Sequence, residues 1–188
     1  MRKLKLQMQI SVDGFNSTGP EDEQKWVTWA WEEIKQDVLR LARSCDTELI
    51  GRKLAIDYIP YWNDVLEDSE STMFEVALIK SEQKKIVFTK TLKESKWENT
   101  QLASGDLIDE INNLKKQPGK DIIVYGGSSF AGNLLKENLI DEFFLYLNPI
   151  ALGEGIPLFE CIKQWQKLKL IDVKAYSSGI VLLHYERL

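Results

Sequence analysis

Asp121-Ile122-Ile123-Val124-Tyr125-Gly126-Gly127-Ser128-Ser129-Phe130-Ala131-Gly132-Asn133-Leu134-Leu135 is the stretch whose reading decides the fold of this chain. Ile122 to Tyr125 is a short apolar run, the pattern of a buried strand. Gly126 and Gly127 interrupt it, and Phe130, Leu134 and Leu135 then recur at helical spacing. A strand, a Gly-Gly turn and a helix start leave backbone N–H groups pointing outward. Those donors and the helix dipole act together on an anion, so one reading of the turn is a phosphate-bearing ligand. The other is an ordinary strand-to-helix turn whose glycines serve tight geometry alone. The run is neither Gly-x-Gly-x-x-Gly nor a phosphate loop ending in Gly-Lys-Ser/Thr.

Working outward, Leu4, Leu6, Met8 and Ile10 alternate with polar residues and predict a first strand with one buried face. It ends at Ser11-Val12-Asp13-Gly14-Phe15, where Asp-Gly marks a turn, and the polar loop from Asp13 to Gln24 would either connect or cover a ligand. Val27, Trp31, Ile34, Val38, Leu41 and Cys45 recur at intervals of three and four, which predicts a helix from Trp26 to Cys45 with Glu33 and Asp37 as solvated flanks. Thr47 to Ala55 reads as a second strand that breaks at Gly51 into a helical turn, with Arg52 and Lys53 beside it. Tyr58, Tyr61 and Trp62 follow around Pro60, then an acidic linker from Glu67 to Glu70. Lys85 to Leu92 is a third strand. Ser104 to Lys116 is an amphipathic helix with Leu107, Ile108, Ile111 and Leu114 inward, stopped by Pro118-Gly119. Leu139 to Leu147 is a further strand. Leu170 to Tyr176 and Ile180 to Tyr185 form a hairpin around Ser177-Ser178-Gly179.

Strands alternating with helices, then a terminal hairpin, predict an α/β three-layer sandwich with a mostly parallel central sheet and an antiparallel C-terminal edge. Crossovers of the usual hand bring the strand C-terminal ends to one sheet edge. The ends after Ile10, Ile50, Phe88 and Tyr125 would then line a crevice, the expected ligand position in such sheets.

Composition narrows the partners. A chain of 188 residues reads as one domain, and a formal charge of −5 with a pI near 5.1 argues against nucleic acid. No run approaches the ~18–20 apolar residues of a membrane span, and the charged start Met1-Arg2-Lys3-Leu4-Lys5 lacks a signal peptide's apolar stretch, so the cytoplasm is the expected compartment. Cys45 and Cys161 suggest no disulfide framework, and Cys45 reads as a small buried hydrophobe at a helix end. With His184 as the single histidine and no Cys/His cluster, no metal site is expected.

Five stretches in order carry a resemblance: Ser11 to Phe15, Leu49-Ile50-Gly51-Arg52-Lys53, Val87-Phe88-Thr89-Lys90-Thr91-Leu92, Tyr125 to Phe130, and Leu139 through Asn148-Pro149 to Phe159. The chain resembles the dihydrofolate reductase-like superfamily, in the branch named for the C-terminal reductase domain of the bifunctional riboflavin-biosynthesis deaminase/reductase. The resemblance implies NADPH as hydride donor. It assigns Gly126, Gly127, Ser128, Ser129, Phe130 and Ala131 to the pyrophosphate, with the Gly126–Gly127 bond in the cis form of related folds. Gly51, Arg52 and Lys53, joined by Thr89, Lys90 and Thr91, would meet the pyrophosphate side and the adenosine 2′-phosphate. Ile10, Asp13 and Gly14 would border the nicotinamide and the substrate. Where family members commonly carry Thr-Tyr or Thr-Trp shortly after Gly-Arg, this chain has Leu54-Ala55.

The expected activity is therefore NADPH-dependent reduction of a small polar heterocycle or its ribosylamino derivative, with hydride passing to a C=N or masked carbonyl carbon. Solvent, Asp13 or, more remotely, Glu33 would supply the proton, although Asp13 reads equally well as a loop cap. The alternatives are folate reduction, a non-catalytic NADPH-binding module, and a structural homodimer; a homodimer is the expected assembly in any case.

Overall fold

The computed structural model describes residues 1–19 and 25–188. In chain order the strands are β1 (Leu4–Ser11), β2 (Phe15–Ser17), β3 (Cys45–Gly51), β4 (Lys84–Phe88), β5 (Thr100–Ala103), β6 (Asp121–Val124), β7 (Glu142–Asn148), β8 (Ile156–Pro157), β9 (Leu168–Ala175) and β10 (Val181–Arg187). The helices are α1 (Lys25–Thr28), α2 (Trp31–Arg43), α3 (Arg52–Glu67), α4 (Phe74–Glu82), α5 (Leu107–Lys116) and α6 (Ser128–Lys136). Among the described residues eight strands form one sheet in the order β5-β4-β3-β6-β1-β7-β10-β9. β5 to β7 run parallel, and β10 pairs antiparallel with both β7 and β9. β2 and β8 pair separately.

The two faces of the sheet differ in chemistry. Leu4, Leu6, Met8 and Ile10 of β1, with Ile122, Val124, Phe143 and Leu145, pack against α5 and α6 in a continuous apolar core. On the other face Ile34 and Val38 of α2 cover Tyr146 and Leu182, while Ala55 and Ile59 of α3 cover Ile50 and Val87. This is the predicted α/β three-layer sandwich with its antiparallel C-terminal edge. The expectation of a single buried face on β1 is corrected, because as an inner strand it is covered on both sides. Lys5 is buried there, with its ammonium on Asp121 at 2.8 Å and on the Ser44 hydroxyl at 3.0 Å.

Other elements also depart from expectation. The helix predicted from Trp26 to Cys45 is interrupted at Trp29–Ala30, and Cys45, though buried, opens β3. The helical turn after Gly51 is a 16-residue helix running through Pro60. Packing overrides the breaker, since Ala55 and Ile59 are buried while Pro60 is exposed and the hydrogen bond it removes faces solvent. α4 and β5 had no counterpart in the sequence reading. The third strand stops at Phe88, and Ile108 is exposed because the buried stripe of α5 runs through Ile111, Leu114 and Lys115. Part of the expected loop from Asp13 to Gln24 lies outside the described residues.

Asp37, expected on a solvated flank, is buried. It accepts from Lys174 at 2.5 Å and Tyr176 at 2.7 Å and pairs with Arg40, fastening α2 to the terminal hairpin. Burial pushes this carboxyl up, but Lys174, Tyr176 and Arg40 outweigh burial and hold it below its ordinary value. A depressed folded-state value contributes stability that is present above about pH 4, the unfolded Asp value, and is lost as pH falls through the folded value. Asp37→Ala is expected to lower unfolding free energy by roughly 2–3 kcal/mol in urea titrations at pH 7. The variant should also show a shallower acid loss below about pH 4 than the wild type.

Candidate functional site

Three strand ends, after β3, β4 and β6, open on one cleft of about 910 Å³ at the C-terminal edge of the sheet. Gly51, Arg52 and Lys53, then Thr89, Lys90 and Thr91, then Gly127, Ser128, Ser129 and Phe130 all line it. These segments are far apart in sequence, and the parallel order of the strands brings them together. The β2–β8 side contributes Ser17, Gly19 and Ile156, and the β5–α5 connection contributes Gly105 and Asp106, which the sequence reading did not single out. The signal for Asp106 was present in its place just before an apolar helical stripe.

Three helices begin at this cleft and they differ in how their first N–H groups are used. Asp106 caps α5, its carboxylate accepting from Ile108 N at 2.9 Å and Asp109 N at 3.1 Å. α3 and α6 follow Gly51 and Gly127, neither of which has a capping side chain. No capping side chain takes their first N–H groups, although Phe130 N–H in α6 already donates to Gly127 O at 2.9 Å, and an anion between the two starts would meet aligned donors and two positive dipole ends. The starts are packed closely, because a Cβ built on Gly51 would stand 2.9 Å from Phe130 Cβ. Phe130 in turn lies 5.0 Å from Phe88, centroid to centroid, so the floor of the cleft is aromatic. The Gly126–Gly127 bond is trans, which corrects the expected cis form. Gly126 at φ 146° makes the turn instead, in backbone space that side-chain-bearing residues rarely enter.

The cations of the cleft are not equivalent. Lys90 donates to Ser104 O at 2.7 Å and Gly105 O at 2.8 Å, tying the end of β4 to the end of β5. Half-buried Arg52 and exposed Lys53 make no ion pair among the described residues and sit at the start of α3. Thr89 is buried, and its hydroxyl accepts from Thr91 N and Leu92 N, so it shapes the turn. Asn16 of β2, also unforeseen, donates to the Ser128 hydroxyl at 2.9 Å and holds the small sheet against the α6 start.

The remaining expected residues lie outside the lining. Ile10 and Ala131 are in the apolar core, and Gly126 is buried beneath the turn. Gly14 makes the turn after β1 at φ 87°, its carbonyl accepting from Leu158 N. Asp13 accepts from the Ser11 hydroxyl at 2.5 Å, Gly153 N at 2.7 Å and Leu152 N at 3.0 Å. Those bonds, the Ser11 hydroxyl foremost and then Gly153 N–H, bring its carboxyl down to about 2. Asp13 is thus held ionised, tying the β1 turn to the 152–158 loop, and a carboxylate so held has no proton to give at neutral pH. Glu33 is exposed on α2 and accepts from Ser178 N at 2.9 Å, at the hairpin. A second cavity of about 510 Å³, at the opposite end of β3, has Arg43 and Glu75 paired across it. Among the described residues no helix is long and apolar enough to cross a membrane, and no group of three or more His, Cys, Asp or Glu is placed to hold a metal ion.

The sequence model of the RibD C-terminal domain family matches residues 2–182. The uncharacterized protein YyaP of Bacillus subtilis is 35% identical over an alignment covering 98% of this chain and 94% of that one. The crystal structure of a putative riboflavin biosynthesis protein from Shewanella sp. PV-4 is similar with a TM-score of 0.74 and 21% identity, covering 99% of both chains. The Thermotoga maritima diaminohydroxyphosphoribosylaminopyrimidine deaminase/5-amino-6-(5-phosphoribosylamino)uracil reductase is similar with a TM-score of 0.71 and 17% identity, over all of this chain and 57% of that one.

Gly51→Ala tests the close approach of the two helix starts. Its φ of −74° suits alanine, so the effect is one of space. The added methyl is expected to cost about 1–3 kcal/mol of stability in thermal or urea unfolding, and to weaken binding of inorganic pyrophosphate measured by calorimetry.

Proposed function

The chain belongs to the RibD C-terminal domain family, and from that premise we propose that it is an NADPH-dependent reductase of a small polar heterocycle, of the ribosylamino-pyrimidine kind. The observation that carries this reading is the pair of uncapped helix starts, α3 and α6, facing one cleft with Arg52 and Lys53 at its edge. That donor set suits a pyrophosphate with a further phosphate nearby. NADPH, when bound, supplies the hydride. The backbone N–H groups of the Gly51 and Gly127 turns hold its pyrophosphate, and Arg52 and Lys53 take the 2′-phosphate. Lys90 acts by keeping the ends of β4 and β5 together rather than as a phosphate ligand.

The protein's part in the reduction is orientation and exclusion of water, with the β1 end fixed by the Asp13 bonds to the 152–158 loop. With Asp13 held ionised and Glu33 engaged at the hairpin, the proton comes from solvent. Folate reduction has less support. The buried carboxylate of α2, Asp37, is bound by Lys174, Tyr176 and Arg40. Exposed Leu170, Ile171 and Val173 on β9 favour association of two copies.

A melting series tests the reading. NADPH at about 100 times its Kd is expected to raise unfolding free energy by roughly 2.7 kcal/mol, with NADH giving less at equal concentration. Arg52→Ala should abolish most of that gain and Lys90→Ala a smaller part. A wild-type protein indifferent to NADPH would overturn the proposal; one that binds it yet oxidises none across a panel of pyrimidine and pterin substrates would be a binding module.

A further inference from the structure

Behind the cleft, on the helix-covered polar face of the sheet, a buried carboxylate and a buried ammonium meet. Glu48 of β3 and Lys80 of α4 are 1% and 3% exposed and lie 3.0 Å apart. Glu48 Oε1 also accepts from the Tyr58 hydroxyl of α3, and Lys80 donates to the Tyr58 oxygen. The Lys80 ammonium sits 3.5 Å from the ring centroid of Tyr125 and 5.1 Å from that of Trp62. Glu48 Oε2 has no partner among the described residues, so the carboxylate is held through α3 and α4 alone.

The placement of these residues is informative. Glu48 stands three residues before Gly51, and Tyr58 stands in the second turn of the helix that Gly51 begins. Their hydrogen bond closes a short loop of chain around Gly51, Arg52 and Lys53. Tyr125 immediately precedes Gly126-Gly127, so Lys80 touches both elements that lead to the uncapped helix starts. A buried ion pair is weak evidence for stability, since well-packed apolar residues often do as well in its place. What this pair supplies is a fixed direction. We infer that Glu48, through Tyr58 and Lys80, is a positioning residue that sets the start of α3 against the Gly126–Gly127 turn and thereby tunes affinity for the cofactor's phosphates. This rests on the function proposed above.

The same cluster lends the site a dependence on pH. Burial pulls the Lys80 ammonium down to about 8, against the pull of Glu48, with the Lys85 ammonium lowering it further. The groups facing it are Glu48 from β3, Tyr58 from α3, Tyr125 just after β6 and Lys85 from β4. Loss of the Lys80 proton removes the charge that holds Glu48.

The paired variant Glu48→Gln/Lys80→Met leaves neither charge buried. Its Kd for NADPH is expected to rise roughly ten-fold, while its melting temperature stays within a few degrees of wild type. An unchanged Kd in the folded variant would overturn the inference, as a purely structural pair would move the melting temperature alone. Should the variant not fold, the wild type decides: its Kd for NADPH should rise several-fold from pH 7 to 9, and a flat profile overturns the inference. Failure of the wild type to bind NADPH at pH 7 would instead count against the proposed function.

Discussion

A parallel sheet makes every right-handed crossover leave from the same edge, and this one constraint governs where the chemistry of the chain collects. β3, β4 and β6 end side by side, so segments centred on Gly51, Thr89 and Gly127 share a wall of one cleft although long stretches of sequence separate them. Helix starts also gather at that edge, each with N–H groups that need partners. The chain supplies Asp106 for α5 and no side chain for α3 or α6. One capped and two uncapped starts thus face the cleft, an arrangement whose free N–H groups favour an anion ahead of any side-chain charge.

Much of this was legible before the structure. Alternation located β1, a continuous apolar run β6, intervals of three and four α2, and strand-like runs around Ser177-Ser178-Gly179 the hairpin, while glycines marked where strands turn into helices. What stayed hidden was decided by tertiary contact. Pro60 reads as a helix breaker, yet Ala55 and Ile59 bury against β3 and β4 strongly enough to carry the helix through it. Asp37 lies near the apolar stripe but, as a carboxylate, reads as a solvated flank, and only the hairpin, well over a hundred residues later, makes it an interior anchor. At the site, sequence gave the neighbourhoods of Arg52, Lys53 and Lys90 alike. It could not separate cations free to meet a phosphate from one already committed to two carbonyls. Asp13 likewise reads in sequence as either acid or cap, and its three donors, Ser11, Leu152 and Gly153, make it a cap.

The two faces of the sheet differ in how much polarity they bury behind the cleft edge. One face is a conventional apolar core with α5 and α6. The other buries Lys5, Glu48, Lys80 and Lys85, with partners supplied by Asp121, Tyr58 and backbone carbonyls. Such networks are unforgiving of displacement, because a charge moved off its partner in a low-dielectric interior has no water to turn to. A face built this way has few alternative packings, which suits a site whose two helix starts must keep a fixed separation.

The edge strand β9 carries a register irregularity opposite His184 and Tyr185, where β10 passes from Asp172 to Leu170 and leaves Ile171 unmatched. Leu170, Ile171 and Val173 would otherwise form a flat apolar ribbon with open backbone donors, the kind of edge that recruits further strands without limit. The bulge bends that ribbon, and Lys169 and Lys174 put charge along it. The irregularity thus allows an apolar surface to remain exposed on this edge while discouraging the growth of the sheet from one molecule into the next, a safeguard against fibrous aggregation.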